Sequence, residues 1–471
     1  MRTCIRHPFL LPVLLAVLGL TMGGGRATAQ TFTDLHVFSG SPNDGGGPYG
    51  TIIRHCETLY GTTHDGGIGS AGTVFAINTN GGGFTILRSI DPSVAVGPYG
   101  GLVLLGNTLY GTTSSGGGSS GGNGTVFKVN TDSTGFTNVY TLTGSDGNLP
   151  YSSLIANASG NTLYGTAPMG GSLGSGTLFK VNTDGTGFTN LHQFSATSSP
   201  SYTNSDGAGP WGSLVLSESG LYGTAVGGGD SGNGTVFKLN TDGTGFTNLH
   251  SFTTLNNNTN SDGYAPLGGL ILLGNTLYGT TAGGGGLGNG TVFSVNTDGT
   301  GFTNLHDFNG SSDGGNPTAA LILSGNTLYG TTLYGGTSGG GTVFALNIDG
   351  TGFTKLHSLA GSDGGGPWAG LVLSCNTLYG TARAGGSSGN GTVFSISFTP
   401  QLSIALSERN VVLTWPTNYA GFDYTGFTLQ STTNLLLPVW TTNSPSPVVI
   451  NGQNTVTNPI SGSQQFFRLS Q

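Results

Sequence analysis

Three residues interrupt a background of glycine, serine and threonine with side chains that can do chemistry. His64 and Asp65 are neighbours in one glycine-rich loop, and Arg383 stands in the equivalent loop of the last repeat. A histidine can exchange a proton near neutrality, an adjacent carboxylate can orient it, and a guanidinium can bind an anion. Their spacing matches no specific catalytic motif, and drift in solvated loops is the bland alternative. Asp230 is a further solitary loop carboxylate, with no acid or nucleophile partner defined by sequence. There is no strand-to-helix nucleophile elbow, His-Glu-x-x-His zinc motif or Gly-Lys-Ser/Thr phosphate loop.

A second constellation is repeated. Ser-Asp-Gly followed by proline carries Asp146, Asp206, Asp262, Asp313 and Asp363, and Asp44 takes the same place in the first repeat. Tyr49, Tyr99, Tyr151, Trp211 and Trp368 follow the matching prolines, whereas Leu267 and Thr318 break the pattern and the Asp91-Pro-Ser-Val stretch departs from it. Aromatic side chains with carboxylate acceptors are suited to a neutral glycan or a peptide. The competing reading is scaffold: Asp closes an Asx turn, Gly relieves the backbone, Pro starts a strand and the aromatic covers a junction. No EF-hand spacing or compact carboxylate cluster is present, so no metal and no cofactor is expected. His36, His192, His250, His306 and His357 recur on one strand type, with Arg88 and Tyr140 in the other two copies. Equivalent outer-strand positions lie on the order of 15 Å apart, too far for one zinc ion, so structural hydrogen bonding is their expected role.

The elements that must position these residues are set by a repeat. Leu-Tyr-Gly-Thr begins at Leu59, Leu109, Leu163, Leu221, Leu277, Leu328 and Leu378. Each copy lies in the same order: an apolar run, a tight turn, Leu-Tyr-Gly-Thr, a glycine-rich loop, Gly-Thr-Val/Leu-Phe, a polar turn, and in most units a close variant of Phe-Thr-x-Leu-His. That order predicts four antiparallel strands per unit, in the fifth at 270–273, 275–281, 291–296 and 302–308. The last unit lacks its fourth phrase, and a spare copy stands at 32–38, before the first apolar run. The count favours an all-β fold, a seven-bladed β-propeller closed by the N-terminal strand, over an open solenoid or a string of modules. Propeller topology would gather the long loops on one face, with the aromatics at its axial mouth.

Residues 1–29 read as an export signal: basic Arg2 and Arg6, an apolar stretch at 9–20, and small residues at Ala27 and Ala29. No later stretch is apolar enough for a transmembrane anchor. Loss of Arg2, Arg6 and Arg26 leaves nine Lys or Arg against twenty Asp or Glu, a formal charge of −11 that makes nucleic acid a poor partner. Cys56 and Cys375 fall in equivalent turns and are expected as isolated thiols, unless the loops bend enough to let them pair. Asn-Gly-Thr at Asn123, Asn233, Asn289 and Asn390 permits N-glycosylation formally and is more simply turn chemistry. The repeat domain is placed at 30–398. Residues 399–471 abandon the repeat and read as a small β-sandwich-like domain for sorting or docking.

The phrases Asn-Thr-Leu-Tyr-Gly-Thr, Gly-Thr-Val-Phe and Asp-Gly-Thr-Gly-Phe-Thr-Asn-Leu-His resemble the GloVer repeats of Gloeobacter and verrucomicrobial bacteria, over 32–398. The resemblance implies an exported bacterial tandem-repeat protein, often joined to a C-terminal surface-sorting region, and carries no catalytic residue onto this chain. The tail, with Trp440 and Phe466-Phe-Arg-Leu469, resembles small C-terminal β domains of exported verrucomicrobial proteins. The function expected is extracellular or cell-surface binding or organisation, with the periplasm as a further location. Its partner would be a neutral polysaccharide, a peptide or a cell-envelope component, and the sequence leaves the oligomeric state open. The alternative is a carbohydrate-active enzyme using His64, Asp65 and Arg383 at the seam between first and last repeats.

Overall fold

The computed structural model describes residues 29–117, 122–218, 220–436, 438–443, 445–460 and 465–470. The expected export signal lies outside them except for Ala29. Two compact units are distinguished: residues 32–372 with 378–395, and residues 373–377 and 396–471 with 29–31.

The repeats form seven four-stranded antiparallel sheets. In the fifth, the strands are Ile271–Leu273, Thr276–Thr281, Thr291–Asn296 and Thr303–Asp307, each beside its sequence neighbour. Threonine, valine and aromatic residues populate these strands because they fit a pleated, half-buried surface, and glycine and asparagine supply the turns. The third and fourth strands pair with a register shift in the first six repeats, as between Val292 and Phe293, which adds local twist.

The expectation of a seven-bladed propeller closed by an N-terminal strand is corrected at this point. The seven sheets are separate and open, each with its own two edges, and no sheet is closed into a propeller or barrel. The ladder of the four-stranded sheets stops at each unit boundary, where neighbouring units meet through packed side chains and single backbone hydrogen bonds such as Gly209 N–H to the Ser175 carbonyl. The N-terminal strand Ala29–Val37 is hydrogen-bonded beside Thr392–Thr399 and makes the fourth strand of the last sheet.

The core lies between sheets, because a lone four-stranded sheet has no second layer to bury its faces. Tyr222 and Val236 of the fourth sheet pack with Leu270, Leu277, Phe293 and Val295 of the fifth. Leu35 and Phe38 pack likewise with Ile52, Phe75 and Ile77. Inside each sheet, the glycine of Leu-Tyr-Gly-Thr stands opposite the phenylalanine of the third strand, as Gly279 does opposite Phe293. The fully buried ring lies over the glycine, which is why the motif tolerates no side chain there.

Cys56 and Cys375 are not in a disulfide. Both hold a left-handed turn position, φ 53° and 51°. Glycine fills the matching turn in other repeats, at Gly106, Gly274 and Gly325, with φ between 57° and 59°. A Cβ in that region costs about 1–2 kcal/mol. Cys56→Gly is therefore expected to stabilise the chain by about 1 kcal/mol, read as a raised denaturant midpoint at unchanged slope. An unchanged or lowered midpoint would contradict that account of the turn.

In the second compact unit, Ser403–Ser407, Asn410–Pro416, Gln453–Pro459 and Val448–Ile450 form a four-stranded sheet, and Thr441–Thr442, Thr428–Thr432 and Phe466–Ser470 a three-stranded one. Leu413, Trp415 and Val456 from the first share a core with Leu429 from the second. No helix among the described residues is long and apolar enough to cross a membrane.

Candidate functional site

The repeated carboxylates are turned into the scaffold. Asp44, Asp206, Asp262, Asp313 and Asp363 each place Oδ2 2.9–3.2 Å from the Nε2 of His36, His192, His250, His306 and His357 respectively. Asp146 accepts instead from the Tyr140 hydroxyl at 2.9 Å. Most of these carboxylates also accept from backbone N–H groups of their own turn, for example Ser195 N to Asp206 and Ala360 N to Asp363. Burial alone would raise the Asp206 pKa, but the hydrogen bonds from His192 and Ser195 outweigh it and hold this carboxyl below its ordinary value. The same balance holds Asp44 low.

Each strand-four residue then stacks on an aromatic of the adjoining unit. His192 lies on Phe246 at 3.9 Å, His250 on Phe302 at 3.8 Å and His306 on Phe353 at 4.0 Å. Phe32 lies on His357 at 4.3 Å and His36 on Phe84 at 3.6 Å. Where histidine is replaced, Tyr140 stacks on Phe188 and the Arg88 guanidinium sits over Phe136. The histidines thus join turn to strand and unit to unit. Among the described residues no group of three or more His, Cys, Asp or Glu side chains is placed to hold a metal ion.

The aromatic residues do come together. Tyr49 stacks on Tyr99 at 4.4 Å, and Tyr99 meets Tyr151, and Tyr151 meets Trp211, each at 4.6 Å. Trp368 meets Tyr49 edge-on at 6.2 Å. These five half-buried side chains, with Leu267 and Thr318, line a depression of about 80 Å³ to which all seven repeats contribute. The rest of its lining is small, with Thr51, Ser152, Ser153 and Ser213 among glycines and alanines. The hydroxyls of Ser153, Ser213 and Thr51 accept from the N–H groups of Gly101, Ser153 and Gly370. These small lining residues are what the sequence reading missed, and their signal is the small residue that follows every Pro-aromatic pair.

His64, Asp65 and Arg383 gather at one side of this cluster. His64 is edge-on to Tyr49 at 5.6 Å and to Tyr99 at 5.7 Å, and its Nδ1 is 2.9 Å from Asp65 Oδ1. The Arg383 guanidinium lies over Tyr49 at 5.7 Å and Trp368 at 5.5 Å. The Tyr99 phenol is driven well above its ordinary pKa, first by burial and then by the neighbouring Tyr49, and so stays neutral across the physiological range. Asp230 stands apart, its N–H on Ser251.

With this geometry in hand, comparison with known proteins separates fold from chemistry. No curated protein matches the chain. An oligogalacturonate lyase in complex with manganese matches with a TM-score of 0.52 at 11% identity, covering 79% of this chain and 96% of that one. An oligogalacturonate lyase from Vibrio parahaemolyticus matches with a TM-score of 0.47 at 10% identity, covering 79% and 97%. At 11% identity the first likeness speaks for fold alone. The Gloeobacter/Verrucomicrobia repeat family, by contrast, matches at 25–160, 122–261 and 250–417, from before the first repeat to beyond the last. The chain belongs to that family.

Proposed function

We propose that the chain is an exported, non-catalytic binding scaffold that holds a glycan or another cell-envelope polymer at the aromatic cluster. The observation that carries this reading is the row Trp368, Tyr49, Tyr99, Tyr151, Trp211, five large side chains from separate repeats brought to one depression. Aromatic rings offer broad contact at low entropic cost, and their polar tips fix orientation. The depression is far smaller than the roughly 300–1,000 Å³ of an enclosing small-molecule pocket. A polymer lying across it suits the shape better than a swallowed substrate. The repeat carboxylates serve as scaffold in this reading, and the C-terminal sheets serve sorting or docking.

The enzyme reading rests on the His64–Asp65 pair beside Tyr49 and Arg383. Purified chain screened against neutral polysaccharides, peptidoglycan and envelope extracts, with product release followed alongside binding, separates the two. We expect binding without turnover, weakened at least tenfold by Tyr99→Ala and little changed by His64→Ala. Product formation that disappears in His64→Ala would replace the scaffold reading with the enzyme. No binding to any of these polymers would reject both.

A further inference from the structure

Most of the groups left unpaired at the cluster can donate a hydrogen bond. Arg383 makes no ion pair and no side-chain hydrogen bond among the described residues, although its guanidinium is positioned by two aromatic rings. The hydroxyls of Tyr49, Tyr99 and Tyr151 and the indole N–H groups of Trp211 and Trp368 also lack a protein partner there, and none is among the buried unsatisfied atoms. They are therefore reachable by solvent or ligand. A phenol can donate or accept, an indole N–H only donates, and a guanidinium only donates. Meanwhile the six repeat carboxylates are held by His36, His192, His250, His306, His357 and Tyr140. Asp65 is an acid beside the cluster, with Oδ1 already held by His64.

We infer that the cluster selects an anionic ligand, the carboxylate of a uronic acid residue in an acidic polysaccharide, with Arg383 as the residue that determines this specificity. The inference rests on the binding reading above and deepens it from neutral to acidic glycans. A guanidinium matches a carboxylate in a planar, two-pronged contact, and a cation restrained by ring stacking loses less entropy on binding. The phenols and indoles complement the remaining sugar oxygens. An acidic peptide would share the carboxylate but would leave most of these donors unanswered. With a formal charge of −11 on the chain without Arg2, Arg6 and Arg26, selectivity for an anion must come from this local contact rather than from long-range attraction.

The test uses the full chain, alginate oligosaccharides as the uronate probe, dextran oligosaccharides of equal length as the neutral probe, and polyglutamate as the peptide probe. Binding is followed by titration calorimetry and tryptophan fluorescence. We expect alginate to bind about tenfold or more tighter than dextran, and that preference to vanish in Arg383→Gln. Arg88→Gln, at a guanidinium that covers Phe136 far along the chain, should leave the preference intact. Equal affinities for alginate and dextran in the native chain, or an alginate preference that survives Arg383→Gln, would overturn the inference and leave the binding reading standing. Polyglutamate as the tightest ligand would overturn the choice of a glycan. Loss of the preference in Arg88→Gln would overturn the role given to Arg383. No binding of any probe would overturn the inference together with the binding reading beneath it.

Discussion

Replacing Gly279 by alanine is expected to lower the unfolding free energy by about 1–3 kcal/mol, although alanine is ordinarily the better strand residue. A Cβ at Gly279 would stand 2.5 Å from Phe293 Cζ and 2.8 Å from Leu270 Cδ2. Phe293 is completely buried and Leu270 nearly so, so neither can move aside without disturbing the contact between the fourth and fifth sheets. Phe293→Leu alone removes packing and is expected to cost about 2 kcal/mol. In the Phe293→Leu background the Gly279→Ala penalty should shrink markedly, giving a coupling energy on the order of 1 kcal/mol in a double-mutant cycle. Denaturant unfolding of the four proteins measures it. Strictly additive penalties would show that the glycine is required for something other than room for the ring.

Asp206→Asn is expected to cost about 2–3 kcal/mol at pH 7, because it replaces a carboxylate that is an acceptor only by an amide that must also donate. The carboxylate accepts from His192 Nε2 at 3.0 Å and from Ser195 N and Oγ at 3.0 and 3.1 Å, with its side chain 9% exposed. Its folded pKa lies below the ordinary value of 3.8, so the carboxylate's stabilisation is present above that value and is lost as pH falls through the lower folded pKa. The stability gap between the native chain and Asp206→Asn should accordingly be full at pH 6 to 7 and narrow progressively below pH 4, measured by denaturant unfolding at each pH. A gap that stays constant down to pH 2 would mean that the carboxylate's charge contributes nothing.

These two positions also show how far the sequence could be read. Leu-Tyr-Gly-Thr and Gly-Thr-Val-Phe announced paired strands because alternation and turn chemistry are local, and the strands of the fifth repeat start and stop within about a residue of the positions read from sequence. How neighbouring sheets join is not local. It rests on packing between residues distant in sequence, and the phrases that pack sheet on sheet look the same in either arrangement, so separate open sheets stand where a closed propeller is expected. At the site, Asp and aromatic sit within about five residues of each other, and the sequence alone admits both a shared binding surface and a scaffold role for them. The structure parts them: the carboxylate turns toward a strand-four histidine, and the aromatic turns toward the depression. A signal for that division was present. The one repeat whose histidine is replaced by Arg88 is also the one whose Ser-Asp-Gly is replaced by Asp91-Pro-Ser-Val, as expected if the two side chains serve each other.

The proposed division of labour puts recognition in the aromatic row and the joining of unit to unit in the Asp–His contacts. It is tested most directly by measuring alginate and dextran binding and thermal stability for Tyr99→Ala and His250→Ala in parallel, with the native chain as reference. Tyr99→Ala should lose at least tenfold in affinity for whichever polymer the native chain binds and keep its melting temperature within a few degrees. His250→Ala should lower the melting temperature, because it removes both the Asp262 contact and the stack on Phe302, and leave affinity unchanged at temperatures where it is folded. The reverse pattern, with affinity lost in the folded His250→Ala chain and retained in Tyr99→Ala, would place recognition on the histidine–carboxylate array and contradict the account.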